Sequence, residues 1–409
     1  EQLYGLGRSL VSKVIPYRPP QQTGNFYFER IHLSKKVGSK ARVGKITTPH
    51  GSFLTPAFVP VGTNAALKGI SNSTMSDIFE TQGTKTLTFC NTYHLMLHPG
   101  TKIVKEAGGL HKFMNYNHPI ITDSGGFQVF SLAYGSVKRE TEGGETLQSK
   151  VDDSSIPEGI KKQRKFAAGS SVLKISEEGV LFRSYRDYSK VLLTPETSVQ
   201  AQKDLGADII VPFDELPPYH IDNDKLKKSL DRTHRWQKRS LDEHFKNINS
   251  QAMYGIVHGG MNEDMRRESA EYINSLGFDG TAIGGSLGKD REDIAHMINF
   301  VTRFVNYERP IHLLGIGDLE SISHAVTAGI DTFDSSYPTK CARHGLLFID
   351  SGPVKIKQKK YADMHEPLDP TCTCTMCTHN ASYIHHLYKT REPVYIALAS
   401  EHNITYYMR

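Results

Sequence analysis

Eight short runs of apolar and β-branched residues punctuate this chain, each ending in a polar or glycine-rich tip, and this rhythm restricts the fold more than any other feature. The runs are FVPVGT from Phe58, TLTFCN from Thr86, PIITDSGG from Pro119, DIIVPFDE from Asp208, AMYGIVHGG from Ala252, GTAIGGS from Gly280, IHLLGIGD from Ile311 and DTFDSS from Asp331. Helical patterns lie between the later ones, including TPETSVQAQKDLGA, a basic stretch from Asn223 to Asn247, and NEDMRRESAEYINSLG. Strand then helix, repeated, implies a parallel sheet, because parallel neighbours need a long crossover. Eight such units predict an α/β protein of the (β/α)8 TIM-barrel class, with reactive groups at the C-terminal strand ends where the βα loops converge. A doubly wound open sheet is the competing fold, and it is disfavoured because no GxGxxG follows the first strand.

A chain of 409 residues fits one large barrel plus a small appendage. With 38% hydrophobic and 23% charged residues, 34 glycines and 19 prolines, the composition is that of a loop-rich soluble enzyme, and no apolar run approaches membrane-spanning length. The net charge of +5 is compatible with a nucleic-acid partner without demanding one. Residues 1–24 read as an N-terminal arm closed by Pro19 and Pro20; Arg8, Lys13 and Arg18 make a remnant of an organelle-targeting segment the competing reading. Residues 25–409 form the main domain, in which about 138–179 read as a long, charged, aperiodic insertion and about 366–409 as a metal-binding module.

The tips supply Asn91, Asp123, Asp214, His258, Gly285, Asp318 and Asp334, a high density of polar groups for ends that merely face solvent. After Asp334 come Lys340 and Arg343, close enough in sequence to hold an anionic backbone over that carboxylate; a capping aspartate and two solvated cations are the bland reading. Asp123 and Asp334 stand on different tips of one barrel face, and paired carboxylates perform glycosidic chemistry, one as nucleophile and one moving the proton. Gly125 and Gly126 let backbone approach a flat ligand that Phe127 would stack on, or else make a tight turn after a core strand. Asp214 and Glu215 would accept donors from a purine edge or cap structure.

Five cysteines, three of them in DPTCTCTMCTHN, argue for a metal cluster in a reducing compartment over a disulfide framework. Cys372, Cys374 and Cys377 would grip one soft ion, zinc by donor type, with a fourth ligand among His379, His385, His386 and His402.

Taken together, NTYHLMLHPG, TDSGGFQVFSL, LTPETSVQAQKDLGADI, FDE-x-P-P, GIVHGG, AIGG, HLLGIGD, FDSSYPTKCARHG and CxCxxC with a terminal EHN resemble the tRNA-guanine transglycosylase (queuine tRNA-ribosyltransferase) family of bacterial type, over about residues 27–409. The resemblance implies a cytoplasmic dimeric enzyme, homodimeric or heterodimeric. It would replace the wobble guanine of a tRNA anticodon with a 7-deazaguanine, either queuine or its 7-aminomethyl precursor. It makes Asp334 the nucleophile and Asp123 the acid/base, with Asp214, His258, Gly285, Ser286, Phe127 and Leu314 around the base, Lys340 and Arg343 on the anticodon loop, and Cys372, Cys374, Cys377 and His402 on zinc. His258 stands where the family usually has Gln, Leu216 where bacterial members commonly have Cys, and GGSLG is one residue shorter than the usual GGLAVG, which makes free queuine a substrate to consider. Two other readings compete: a non-catalytic tRNA-binding subunit of a heteromeric enzyme, and an ordinary barrel glycosidase.

Overall fold

The computed structural model describes residues 25–134, 172–248 and 250–409, so the arm at 1–24 and the insertion as far as residue 171 lie outside the described residues. The first described element is an antiparallel sheet of β1 (Tyr27–Leu33), β2 (Arg42–Thr48) and β3 (Gly51–Thr55). β2 alternates buried and exposed positions, and its Ile46, with Phe53 of β3, points into the barrel core. This sheet therefore covers one end of the barrel. Sequence reading missed it because β1 is exposed along nearly its whole length and shows no inward face.

The barrel strands are β4 (Ala57–Pro60), β5 (Thr88–Cys90) and β6 (Ile120–Thr122); then, after an antiparallel sheet of β7 (Val172–Ile175), β8 (Val180–Arg183) and β9 (Lys190–Leu193), come β10 (Ile209–Ile210), β11 (Ala252–Val257), β12 (Gly280–Ile283), β13 (Ile311–Leu313) and β14 (Thr332–Ser335). These eight correspond to the eight runs. They pair in the order β4-β14-β13-β12-β11-β10-β6-β5, and a parallel bridge from Val61 to Phe89 closes the ring.

The two faces of each strand build two cores. Along β11, Ala252, Tyr254 and Ile256 fill the barrel interior with Val59, Phe89, Ile121, Ile209 and Ala282, while Met253 and Val257 face the helices. Four of the helices that follow strands start on side-chain caps that satisfy orphan amides: Thr194 with Pro195 before Pro195–Leu205, Asp222 before Asn223–Lys246, Asn262 before Glu263–Ser275 and Asp318 before Leu319–Thr327. Asp318, a candidate tip residue, is thus a cap: its Oδ1 accepts from the Ser321 amide at 3.1 Å.

The described part of the charged insertion, residues 172–179, forms β7 and the turn that leads into β8. Beyond it, Val180, Phe182 and Leu193 of the same sheet pack with Tyr93, Phe130, Phe213 and Trp236, and the Trp236 indole donates to Glu177 O at 2.9 Å. At the C-terminus a separate core gathers Leu347, Ile356, Leu368, the three cysteines, Ile384 and Leu387. The helix Pro393–Met408 ties the two bodies together, with Tyr395, Leu398 and Ala399 in that core and Ile404 and Met408 in the barrel's outer one. Among the described residues no helix is long and apolar enough to cross a membrane.

Candidate active site

The C-terminal strand ends surround a cavity of about 620 Å³ lined by Asp123, Phe127, Asp214, Gly285, Ser286, Leu314 and Asp334, among others. Seven residues singled out from the sequence on five different strand-end loops therefore meet in one place. Asp334 ends β14 and is buried. Its Oδ1 accepts from the Gly315 amide at 3.0 Å and from His312 Nε2 at 3.1 Å. The carboxylate can only accept, so it places hydrogen on His312 Nε2, and His312 Nδ1 in turn lies 2.8 Å from the Thr332 hydroxyl, which can donate to it. Among the described residues nothing donates to the second oxygen, Oδ2, so one side of the carboxylate is held and the other is free to react.

Asp123 follows β6 and is gripped at both oxygens, by Asn91 Nδ2 at 2.8 Å on Oδ2 and by the Thr92 amide at 2.7 Å on Oδ1. Burial pushes its carboxyl up to about 6; hydrogen bonds from Asn91, Thr92 and Gln128 pull it back, and the charge of Asp214 adds to the rise. A carboxyl poised there exchanges a proton near neutral pH. Asp214 accepts from the Ser124 hydroxyl at 2.9 Å and pairs with His258 Nε2 at 2.8 Å. Gly126 has a reason other than ligand approach: a Cβ there would lie 2.7 Å from Asp214 O, so only glycine lets these two loops close together.

His258 stands behind Asp214 and lines an adjoining cavity of about 270 Å³, which shares Gly285 and Ser286 with the first. Lys340 and Arg343 ride on the helix Tyr337–Arg343, directly after β14; Lys340 is exposed, and Arg343 is half-buried with its Nη1 unpaired among the described residues. Four further side chains that matter here were not singled out by sequence reading. Gln128 lines the main cavity with its Oε1 unpartnered, Ser124 orients Asp214, His312 orients Asp334, and Arg266 lies beneath the β11 and β12 loops. A histidine inside the apolar run IHLL was the signal available for His312, and Ser124 and Gln128 lie within the TDSGGFQ segment beside Asp123.

In the C-terminal module the Sγ atoms of Cys372, Cys374 and Cys377 and a ring nitrogen of His402 lie within 4.8 Å of one another, all on buried residues. His402 Nδ1 is 3.4 Å from the sulfurs of Cys374 and Cys377, while its Nε2 sits 2.8 Å from Phe348 O. That outer hydrogen bond places the proton on Nε2 and leaves Nδ1 as a donor atom, the arrangement of a metal-ligating imidazole. Of the four histidines open to the role, the fold brings His402 to the thiols, and His385 is engaged instead with Ile356 O at 2.7 Å.

A closed barrel with buried carboxylates lining a cavity at its C-terminal mouth, and a thiol-rich module beside it, is the build of an enzyme. The family model described as queuine tRNA-ribosyltransferase matches residues 37–168 and 160–409, and the chain belongs to that family. It is 56% identical over 384 residues to the queuine tRNA-ribosyltransferase of Protochlamydia amoebophila, covering 94% of this chain and 92% of that one. To the protein of the same name from Chlamydia caviae it is 51% identical over 381 residues, covering 93% and 94%.

Proposed function

We propose that this chain exchanges the wobble guanine of a tRNA anticodon for a 7-deazaguanine through a covalent ribosyl intermediate on Asp334. Asp334 Oδ2 attacks C1′, the bond from C1′ to N9 breaks, its electron pair goes to the departing base, and Asp123 supplies the proton. In the return step the incoming deazaguanine gives its N9 proton to Asp123 and attacks C1′, and the bond to Asp334 breaks. The observation that carries this reading is the contrast between two buried carboxylates lining one cavity, one with an oxygen free of protein donors and one raised to about 6.

In this reading Asp214 and Gly285 hold the base edge, Phe127 and Leu314 cover its faces, and His258 fixes Asp214 instead of meeting the base directly. The second cavity beyond Gly285 and Ser286 has room for a 7-substituent, which favours queuine over the smaller aminomethyl precursor. Lys340 and Arg343 hold the anticodon loop, and a dimer, homomeric or with a second subunit, carries the rest of the tRNA. Cys372, Cys374, Cys377 and His402 hold zinc, which supplies a structural cross-link between the module and the last helix and takes no part in the chemistry. We place the enzyme in the cytoplasm, where its thiols stay reduced.

Incubation of the purified chain with tRNA and radiolabelled guanine, with queuine and the aminomethyl base as competitors, tests this. Wild-type label incorporation and its loss in Asp334→Ala are expected; full incorporation by that variant would remove Asp334 from the reaction. A wild-type chain that is inert alone but active with a second subunit would return the non-catalytic reading. Sugar hydrolysis without RNA would return the glycosidase.

A further inference from the structure

Arg266 lies on the helix Glu263–Ser275 and is fully buried, yet among the described residues no carboxylate pairs with it. Its guanidinium donates only to main-chain carbonyls: Nη1 to Val257 O at 3.0 Å and to Gly284 O at 2.6 Å, Nη2 to Ser286 O at 2.9 Å, and Nε to Gly260 O at 2.8 Å. Those four carbonyls belong to the last residue of β11 and to the two loops, after β11 and after β12, that wall the base pocket against His258. A buried cation without a counter-ion is disfavoured, and burial holds this guanidinium down at about 9, so its persistence under the site calls for a reason.

The peptide that joins Gly284 to Gly285 supplies that reason. Its carbonyl accepts from Arg266, while its N–H, on Gly285, meets no acceptor among the described residues and lies at the lining of both cavities. Hydrogen bonding at one end of a peptide polarises the other, so a cation on the carbonyl makes the amide a stronger donor. Gly285 has φ +74°, and a Cβ there would sit 3.0 Å from His258 Nδ1 and 3.5 Å from Arg266 Nη2, so a side chain at this position would wedge between the two.

We propose that Arg266 is a positioning residue that passes its positive charge through the Gly284–Gly285 peptide to the purine carbonyl, and so stabilises the negative charge that builds on the departing base. The inference rests on the base-exchange reading above. It adds a claim that reading does not contain: the strength of the carbonyl contact is set by a side chain that never touches the substrate. As with an oxyanion hole, the donor acts most where charge develops, so kcat falls more than base affinity when the charge is displaced.

The test compares wild type, Arg266→Lys and Arg266→Gln in guanine exchange, using guanine and 2-aminopurine, which lacks the carbonyl. Expected for Arg266→Lys is a roughly tenfold to hundredfold fall in kcat for guanine, a KM for tRNA within about twofold, and at least a tenfold smaller preference for guanine over 2-aminopurine, with Arg266→Gln more affected. A folded Arg266→Lys enzyme that keeps the wild-type preference overturns the proposal, since a purely structural arginine lowers the active fraction equally for both bases. A fold-independent reading comes from wild-type protein labelled with ¹⁵N at arginine. Saturation with guanine must move the Arg266 guanidinium resonances more than 2-aminopurine does, and equal shifts overturn the proposal even if both variants fail to fold. An inert wild type, by contrast, strikes at the base-exchange reading itself.

Discussion

The two ends of the barrel both carry buried aspartates at strand termini, and they use them in opposite ways. At the N-terminal end Asp208, Asp279 and Asp331 immediately precede β10, β12 and β14, and each accepts an amide at the start of the neighbouring strand: Ile120 N at 2.8 Å, Met253 N at 2.8 Å and Ile311 N at 2.7 Å. Asp331 also takes Arg42 Nε at 2.9 Å and Nη2 at 2.5 Å, and Asp208 takes His50 at 2.7 Å and His111 at 3.1 Å. At the C-terminal end Asp123 and Asp334 are held by neutral amides, an asparagine and a histidine, and both face a cavity. Burial alone therefore does not mark a reactive carboxylate. What distinguishes the ends is whether cationic partners and backbone satisfy the group or leave it facing a space large enough for a ligand.

That contrast can be broken or sharpened by substitution. The largest effect is expected at the cavity end: Asp334→Asn removes the proposed nucleophile with almost no change of shape, and exchange should fall by about a thousandfold or more while the melting temperature stays within a few degrees. Arg42→Met is the counterpart at the closed end. It leaves Asp331 buried without its cation and should lower unfolding free energy by about 3–5 kcal/mol in denaturant titration, with kcat per folded molecule unchanged. A large loss of kcat there would show that the ends are not separable.

The C-terminal module supplies a third case. If the proposed zinc is bound, Cys374→Ser or treatment with a strong chelator should release about one zinc per chain and lower the melting temperature, because the three cysteines lie in that module's core with His402 against them. Metal analysis that finds no zinc in the purified wild type would remove the assignment.

A pH titration of stability separates Asp123 from Asp208 by sign, whereas burial raises Asp279 and Asp331 at the closed end in the same direction as Asp123. Burial raises Asp123 from 3.8 to about 6 in the folded chain, so its contribution is neutral below about pH 4 and becomes unfavourable as pH climbs to 6 and beyond. At Asp208 burial pushes upward too, but the hydrogen bonds from His111 and His50 outweigh it, so its carboxyl lies below 3.8 and its stabilisation is present above that pH and lost in acid. Asp123→Asn should then gain stability relative to wild type between pH 4 and 7, and Asp208→Asn should lose it most at neutral pH and least in acid. Slopes of the same sign in both variants would contradict the comparison. The smallest effect belongs to the exposed Lys340: Lys340→Ala should weaken tRNA binding a few-fold and reduce the salt slope by about one, with base affinity untouched.

Much of this was legible before any coordinates. The eight runs mark the eight barrel strands, and Asp123, Asp214 and Asp334 sit on the tips that converge. A further signal lay in plain view and went unread: Gly206-Ala207-Asp208, Gly277-Phe278-Asp279 and Gly329-Ile330-Asp331 repeat a Gly-x-Asp step before alternate strands, and this short repeat is the closed end's amide-capping device. The β1–β3 sheet left a weaker trace, since a strand exposed on both faces has no apolar period to detect.

By itself the order of residues determined the strand and helix rhythm, the parallel sheet and the tips on which chemistry would gather, because hydrophobic period and cap residues are local properties. Only the tertiary structure decided which partner each buried group received. It gave His312 to Asp334, His258 to Asp214 and His402 to the thiols, and among the described residues left Arg266 among four carbonyls without a carboxylate. Those pairings join residues from different strands and loops across a closed ring, and the energetics of a buried polar group depend on the few atoms packed against it, which the local pattern of residues does not specify.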